Sequence, residues 1–293
     1  MRIQLTAKIG VTVVTLLVNW LLVVGQAPSD AERNDEEVRN LWDTTFIGQR
    51  PPGKNSANSA QHASTQKEPT SDFFGITVWR LRPTRSTDPS GVRMLLHEED
   101  HDSEWTPERI DANKPIVNGQ RIRLAIETTR KGYIYVVDRE KYEDGSYGDP
   151  MLIFPTTRIR DGCNEVSAGR VIELPSWNDR PPYYTLRFTR RDQVGDALTI
   201  LVSPRRLLEL GIGPTPLKLG NNQLQEWAKK WAVPFKCLGS KQQVGLSYTT
   251  AEKEAAQGAH PLTADDPTPQ TIYQVDGKPE DPFLLNIVLS TRP

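Results

Sequence analysis

From Phe73 onward, hydrophobic and polar positions alternate with a period near two, in short runs separated by Gly, Pro, Asn and Asp. That period belongs to strands, whose successive side chains point to opposite faces. Ile76, Val78 and Arg80 alternate with Thr77, Trp79 and Leu81, predicting a first strand that Pro83 ends. A proline-punctuated excursion follows, from Pro83 to Pro115. The cleanest alternation runs from Gln120 to Thr129, with Ile122, Leu124 and Ile126 facing inward and Arg121, Arg123 and Glu127 facing water. The stretch Lys131–Pro155 predicts a hairpin with an acidic, glycine-containing loop. Its first strand is apolar on both sides, Tyr133, Tyr135 and Val137 on one and Ile134 and Val136 on the other, which places it in the middle of the core. Arg170–Leu174, Tyr183–Thr189 and Ala197–Ser203 read as three more strands. Turn signals at this rhythm indicate an antiparallel β-sandwich or barrel rather than βαβ units.

Beyond Pro204 the period lengthens. Arg205–Leu210 predicts a helical turn ended by Gly211. Gln223–Trp231 is an amphipathic helix with Leu224, Trp227, Ala228 and Trp231 at helical spacing and Lys229 and Lys230 at its C-terminal end. Thr250–Gln257 is a second, with Thr249 as N-cap, Glu252 completing a capping box and Gly258 as terminator. After a polar, proline-rich loop, Pro282–Thr291 returns to strand with Leu285, Ile287 and Leu289 on one face. The expected architecture is mainly β: a sandwich over residues 73–293, with a small helical insertion at about 204–270 before the last strand.

Residues 1–27 combine a basic start (Arg2, Lys8), an apolar run and a small residue ahead of Gln26, the pattern of a secretory signal peptide. An uncleaved anchor is the competing reading, and it is the only membrane attachment the sequence offers. Residues 28–72 read as a tether. A charged helix would carry Leu41, Trp42 and Phe46, followed by a Ser-, Asn-, Pro- and Lys-rich run too polar to offset its ordering entropy. Export permits Cys163 and Cys237 to pair, with a gain of about 4 kcal/mol from closing so long a loop, and two unpaired thiols are the alternative. The 36 basic residues against 37 acidic give a net charge of -1, which argues against nucleic-acid binding. Arg187, Arg190 and Arg191 cluster locally, as at a solvated strand end.

Two stretches invite chemistry. His97-Glu98-Glu99-Asp100-His101 matches H-E-x-x-H, which on a helix sets two imidazoles one turn apart beside a glutamate. Its two acidic variable positions and the absence of a third ligand downstream favour an exposed acidic loop. The loop Asp138–Asp149, with Asp138, Glu140, Glu143, Asp144 and Asp149, is oxygen-rich but lacks the D-x-D-x-D-G spacing of a calcium loop, so an Asp-Gly turn that solubilises the hairpin tip is the simpler account. Tyr142, Tyr147 and Tyr183 read as exposed tyrosines, either forming a contact surface or packing on their neighbours. No G-x-S-x-G, P-loop or dinucleotide fingerprint is present. No residue is therefore assigned a catalytic, cofactor-binding or metal-ligating role.

GYIYVVDRE, then DG, LIFP and the Asn164–Pro175 segment N-x-V-x-A-G-x-x-x-x-L-P together resemble the bacterial domain-of-unknown-function 4384 family over roughly Gln120–Ser203. Members of that family are typically exported or joined to other modules, and no activity or catalytic residue is established for it. The motif residues read as scaffold, with Gly132 and Gly169 in turns and Pro155 and Pro175 ending strands. The expectation is an exported, non-enzymatic binding or envelope-associated module, periplasmic, cell-surface or secreted, taking a protein or glycan partner and no cofactor. The alternative is a metal-dependent hydrolase using His97–His101.

Overall fold

The computed structural model describes residues 35–46, 71–97, 102–110, 115–207, 210–239, 243–263 and 265–290. The predicted signal peptide and most of the predicted tether lie outside them. In chain order the strands are β1 (Asp72–Pro83), β2 (Met94–His97), β3 (Asp102–Arg109), β4 (Arg121–Thr128), β5 (Gly132–Tyr142), β6 (Met151–Phe154) and β7 (Glu165–Val166). They continue with β8 (Arg170–Leu174), β9 (Tyr184–Thr185), β10 (Gln193–Ser203), β11 (Leu217–Lys218), β12 (Phe235–Gly239), β13 (Thr271–Val275) and β14 (Phe283–Ser290). Among the described residues three α-helices join them: α1 (Asp35–Thr45), α2 (Asn221–Trp231) and α3 (Thr250–Ala256).

The strands form two antiparallel sheets packed face to face, a β-sandwich. In the first, β1 pairs along one edge with β13 and then β3, and along the other with β4. β12 extends this sheet beyond β13, β2 beyond β3, and β8 and β9 beyond β4. The second sheet runs β11-β6-β5-β10-β14, with β7 beside the start of β5. Between the sheets lies the main core. Phe74, Ile76 and Val78 of β1 and Ile122, Leu124 and Ile126 of β4 meet Ile134 and Val136 of β5 and Leu198, Ile200 and Val202 of β10. Phe283, Leu285, Ile287 and Leu289 of β14 complete it, on the face the alternation predicts.

The outer faces are covered too, which explains the doubly apolar β5. Tyr135, Val137, Leu152, Leu201 and Leu284 are roofed by Leu210, Leu219 and the Leu224 and Trp227 of α2. On the other sheet, α3 and the chain around Tyr248 and Leu262 lie over β1, β4 and β8. Thr249 and Glu252 cap α3 reciprocally, as predicted, and Gly258 follows at φ +77°.

Several expectations need correction. Arg123 and Glu127 do not face water; they are 1% and 2% exposed under the α3 layer. The excursion Pro83–Pro115 contains β2 and β3, and Pro107 sits in the sheet opposite Leu81. Of Tyr183–Thr189, only Tyr184 and Thr185 are strand, with Leu186 adding backbone bonds to Gly119 and Gln120. The insertion contributes β11 and β12 as well as helices, and β13, unpredicted, pairs with β1. Arg205–Leu207 are not helical, and 208–209 lie outside the described residues. Within the predicted tether, Val38 and Trp42 of α1 and Phe46 just after it are buried against Phe73, Leu238 and Ile272, and Trp42 Nε1 donates to Glu127 at 3.1 Å. Gly132 opens β5 rather than a turn: a Cβ there would sit 2.5 Å from the Ser203 carbonyl oxygen. Gly169 does occupy a turn, at φ +63°. Cys163 and Cys237 are not bridged: Cys163 is exposed, and Cys237 lies in β12 opposite Tyr273.

Candidate binding groove

The predicted hairpin loop shapes an open concavity, a groove of about 500 Å³. β5 outruns its partner: β6 pairs with it only from Val136 to Asp138, after a register irregularity, while β5 continues to Tyr142. The connecting chain then doubles back. Asp144 Oδ1 accepts from the Ser146 amide at 2.8 Å, Gly145 takes φ +80°, and the Gly148 amide donates to the Glu140 carbonyl at 2.9 Å. The Asp-Gly turn is thus formed as expected. Its return leaves the end of β5 as the groove floor.

Strand geometry decides which side chains meet there. Asp138 and Glu140, two apart on β5, share the face that looks into the sandwich, and Asp196 of β10 lies directly opposite Glu140 in the ladder. One step further along that face the core begins, at Leu198 opposite Asp138. Glu140 is held on both oxygens, by Thr189 Oγ1 at 2.6 Å and by the Tyr142 hydroxyl. Asp196 accepts from Gln193 Nε2 at 2.9 Å through one oxygen. Its other oxygen, and Asp138 Oδ1, are buried without a hydrogen-bond partner among the described residues. From the facing sheet, the Tyr184 hydroxyl is likewise buried and unpartnered.

The electrostatics follow from this placement. Burial, then the charges of Asp196 and Glu140, pushes the Asp138 carboxyl up to about 7. Burial, then Glu140, pushes Asp196 up to about 6, partly offset by its Gln193 bond. Burial, with Asp179 and Asp138 adding to it, raises the Tyr184 hydroxyl above its ordinary value, so it stays a neutral donor. The groove wall carries two stacked pairs: the Arg139 guanidinium 4.4 Å from the Tyr147 ring centre, and that of Arg190 3.9 Å from Tyr142. Arg190 is also ion-paired with Asp192, and Asp149 at the rim with Lys218.

A second polar cluster lies under α3. Arg123 pairs with Glu173 at 2.5 Å, Tyr248 donates to the same carboxylate, and Arg109 pairs with Glu252. The cavity beside it is about 30 Å³, room for about one water. These groups fasten the α3 layer to the sheet.

The sequence-predicted candidates are distributed unevenly. Of the acidic loop, Asp138, Glu140 and Asp149 line the groove together with Tyr142 and Tyr147. Tyr183 lies elsewhere, against the Arg121 guanidinium, which also stacks on Trp105. His97 ends strand β2 opposite Asp102 of β3, so it is not on a helix, and residues 98–101 lie outside the described residues. Among the described residues no three His, Cys, Asp or Glu side chains come together as metal ligands, and no helix is long and apolar enough to cross a membrane. Sequence reasoning missed Asp196, whose place beside Glu140 depends on ladder register; Arg190, read as one of a solvated basic cluster, is half exposed and also lies over Tyr142. Comparison with protein-family models, with curated proteins and with solved structures found no match to this chain.

Proposed function

We propose that this chain is an exported, non-enzymatic binding module whose ligand site is the groove at the end of β5. Support for export comes from residues 1–27, and support for binding from the groove itself. The carrying observation is the combination of an open concavity of about 500 Å³ with convergent polar groups, Asp138, Glu140, Asp149 and the two arginine–tyrosine stacks. Ligand sites are typically concave, with a few polar groups that fix orientation. The groove lies between a strand end and a loop braced by backbone bonds, so it is held ready rather than assembled on binding. The partner class is a protein or glycan of the cell envelope, consistent with the resemblance to an exported bacterial family.

The test is amide chemical-shift mapping by NMR of the isotopically labelled protein against a mixed set of amines, amino acids, sugars and carboxylates. Shifts confined to Tyr147, Gly148 and Met151 and their neighbours are expected with at least one class. Shifts that map elsewhere, or none with any class at millimolar concentration, would sink the assignment.

A further inference from the structure

Three carboxylates share the inward face at the end of β5 and β10, yet none of them is ion-paired among the described residues. Asp196 is 96% buried by its 4% exposure, and one of its oxygens has no partner. Asp138, which lines the groove, carries a second buried oxygen without a partner, and the buried Tyr184 hydroxyl is unpartnered on the opposite sheet, in both cases among the described residues. Elsewhere this protein matches its buried acids with arginine: Glu173 with Arg123, Glu252 with Arg109, Asp88 and Glu108 with Arg82. Among the described residues no ion pair reaches these three acids. A buried carboxylate without hydrogen bonds or counter-charge is costly, and a partner that supplies both relieves that cost.

We infer that Asp138, Glu140 and Asp196 receive the protonated nitrogen of an organic cation, an ammonium or guanidinium group carried into the groove by the ligand. The inference rests on the groove being the ligand site. Several N–H donors on one cation suit carboxylates on neighbouring strand positions. A bare metal ion suits them less: among the described residues no three carboxylates come close enough together to act as metal ligands, whereas the N–H donors of a guanidinium or ammonium reach acceptors that lie further apart. An anion is disfavoured by the same three acids: Arg190 is taken up by Tyr142 and Asp192, and Arg139, stacked on Tyr147, has only its buried Nε without a hydrogen-bond partner among the described residues.

Binding is linked to protons. The groups facing the site are Asp138, Arg139 and Glu140 on β5, Asp196 on β10, Tyr184 on β9, Asp179 in the chain before it, and Tyr142, Tyr147, Asp149 and Arg190 around the groove. Of these, Asp138 and Asp196 exchange protons near neutrality. The cation favours their ionised forms, so it displaces a proton to solvent and binds more tightly as pH rises.

The experiment is calorimetric titration of the full chain with agmatine, with calcium chloride and sodium phosphate as separate probes, at pH 6 and pH 8 in buffers of different ionisation heat. Agmatine is expected to bind with net proton release and about tenfold more tightly at pH 8. Asp196→Asn and Asp138→Asn, each close to isosteric, should weaken it at least tenfold, with Glu140→Gln as a further variant should either fail to fold. Agmatine binding that neither Asn variant weakens, or a preference for calcium or phosphate, overturns the inference. If agmatine fails while the NMR mapping still marks the groove, the cation assignment falls and the groove survives. If both fail, both readings fall.

Discussion

Glu252 uses its two carboxylate oxygens for different tasks: one accepts from the Arg109 guanidinium, and the other from the amide and hydroxyl of Thr249, 2.9 and 2.8 Å away. One side chain thereby both starts α3 and anchors it to β3. Arg109 also donates to the Thr268 carbonyl and lies over Trp79. Glu252→Ala is therefore expected to cost about 3–5 kcal/mol, more than a lost cap alone, because it strands a buried guanidinium. Glu252→Gln, which keeps acceptor geometry, should cost clearly less. Urea unfolding of both variants checks the ordering.

The Arg123–Glu173 pair gives a cycle with a definite sign. Either partner replaced alone leaves a charge buried under α3, since the two side chains are 1% and 3% exposed. Arg123→Met and Glu173→Leu should each destabilise by about 3–5 kcal/mol, while the double variant should lose less than the sum. Strictly additive losses in chemical denaturation would contradict a shared network.

Trp42 tests whether α1 belongs to the folded body. Its side chain is fully buried and donates to Glu127. Trp42→Ala should cost about 3–5 kcal/mol by emptying that site. A helix that were merely tether would leave the urea midpoint unchanged.

Stability should respond to pH through the groove acids. Asp138 has its folded value raised to about 7 from an ordinary 3.8, so the folded state binds the extra proton between these limits. Its contribution is fully present below about pH 4 and lost as pH rises through about 7. Asp196 acts in the same direction up to about 6. Asp88, held low by Arg82, acts oppositely but only below its ordinary 3.8. Asp138→Asn should remove a decline on the order of 3 kcal/mol between pH 4 and 8. Thermal unfolding of wild type and variant across that range reads the difference, and parallel curves would refute it.

Gly195 offers a steric test beside the same acids. A Cβ there would lie 2.6 Å from the Leu289 carbonyl oxygen. Gly195→Ala must push β10 from β14, at a cost of about 1–3 kcal/mol. The denaturation midpoint should fall with an unchanged slope.

What the sequence revealed and what it hid divide along a physical line. Period-two alternation correctly placed Ile122, Leu124 and Ile126 inward, because that face meets the other sheet regardless of what lies elsewhere. It misplaced Arg123 and Glu127, since their cover comes from α3 and α1, more than 75 positions away in sequence in each case. β3 was hidden by Pro107, tolerated where β3 meets β1, and β13 by the polar, proline-rich chain before it. For the groove, local turn chemistry exposed Asp138, Glu140 and Asp149 as a group. Asp196 became their neighbour only through the pairing of β5 with β10, which no local pattern encodes.

The pairing of β1 with β13 joins Asp72 to Val275. A nascent chain leaving the ribosome therefore carries β1 with half of one edge vacant until some two hundred further residues have been made. Loops that long close slowly, and the vacant edge is a template for unwanted pairing meanwhile. Synthesis of this protein should accordingly depend on a holding chaperone, or on a channel that keeps the polypeptide extended, until its distal strands arrive.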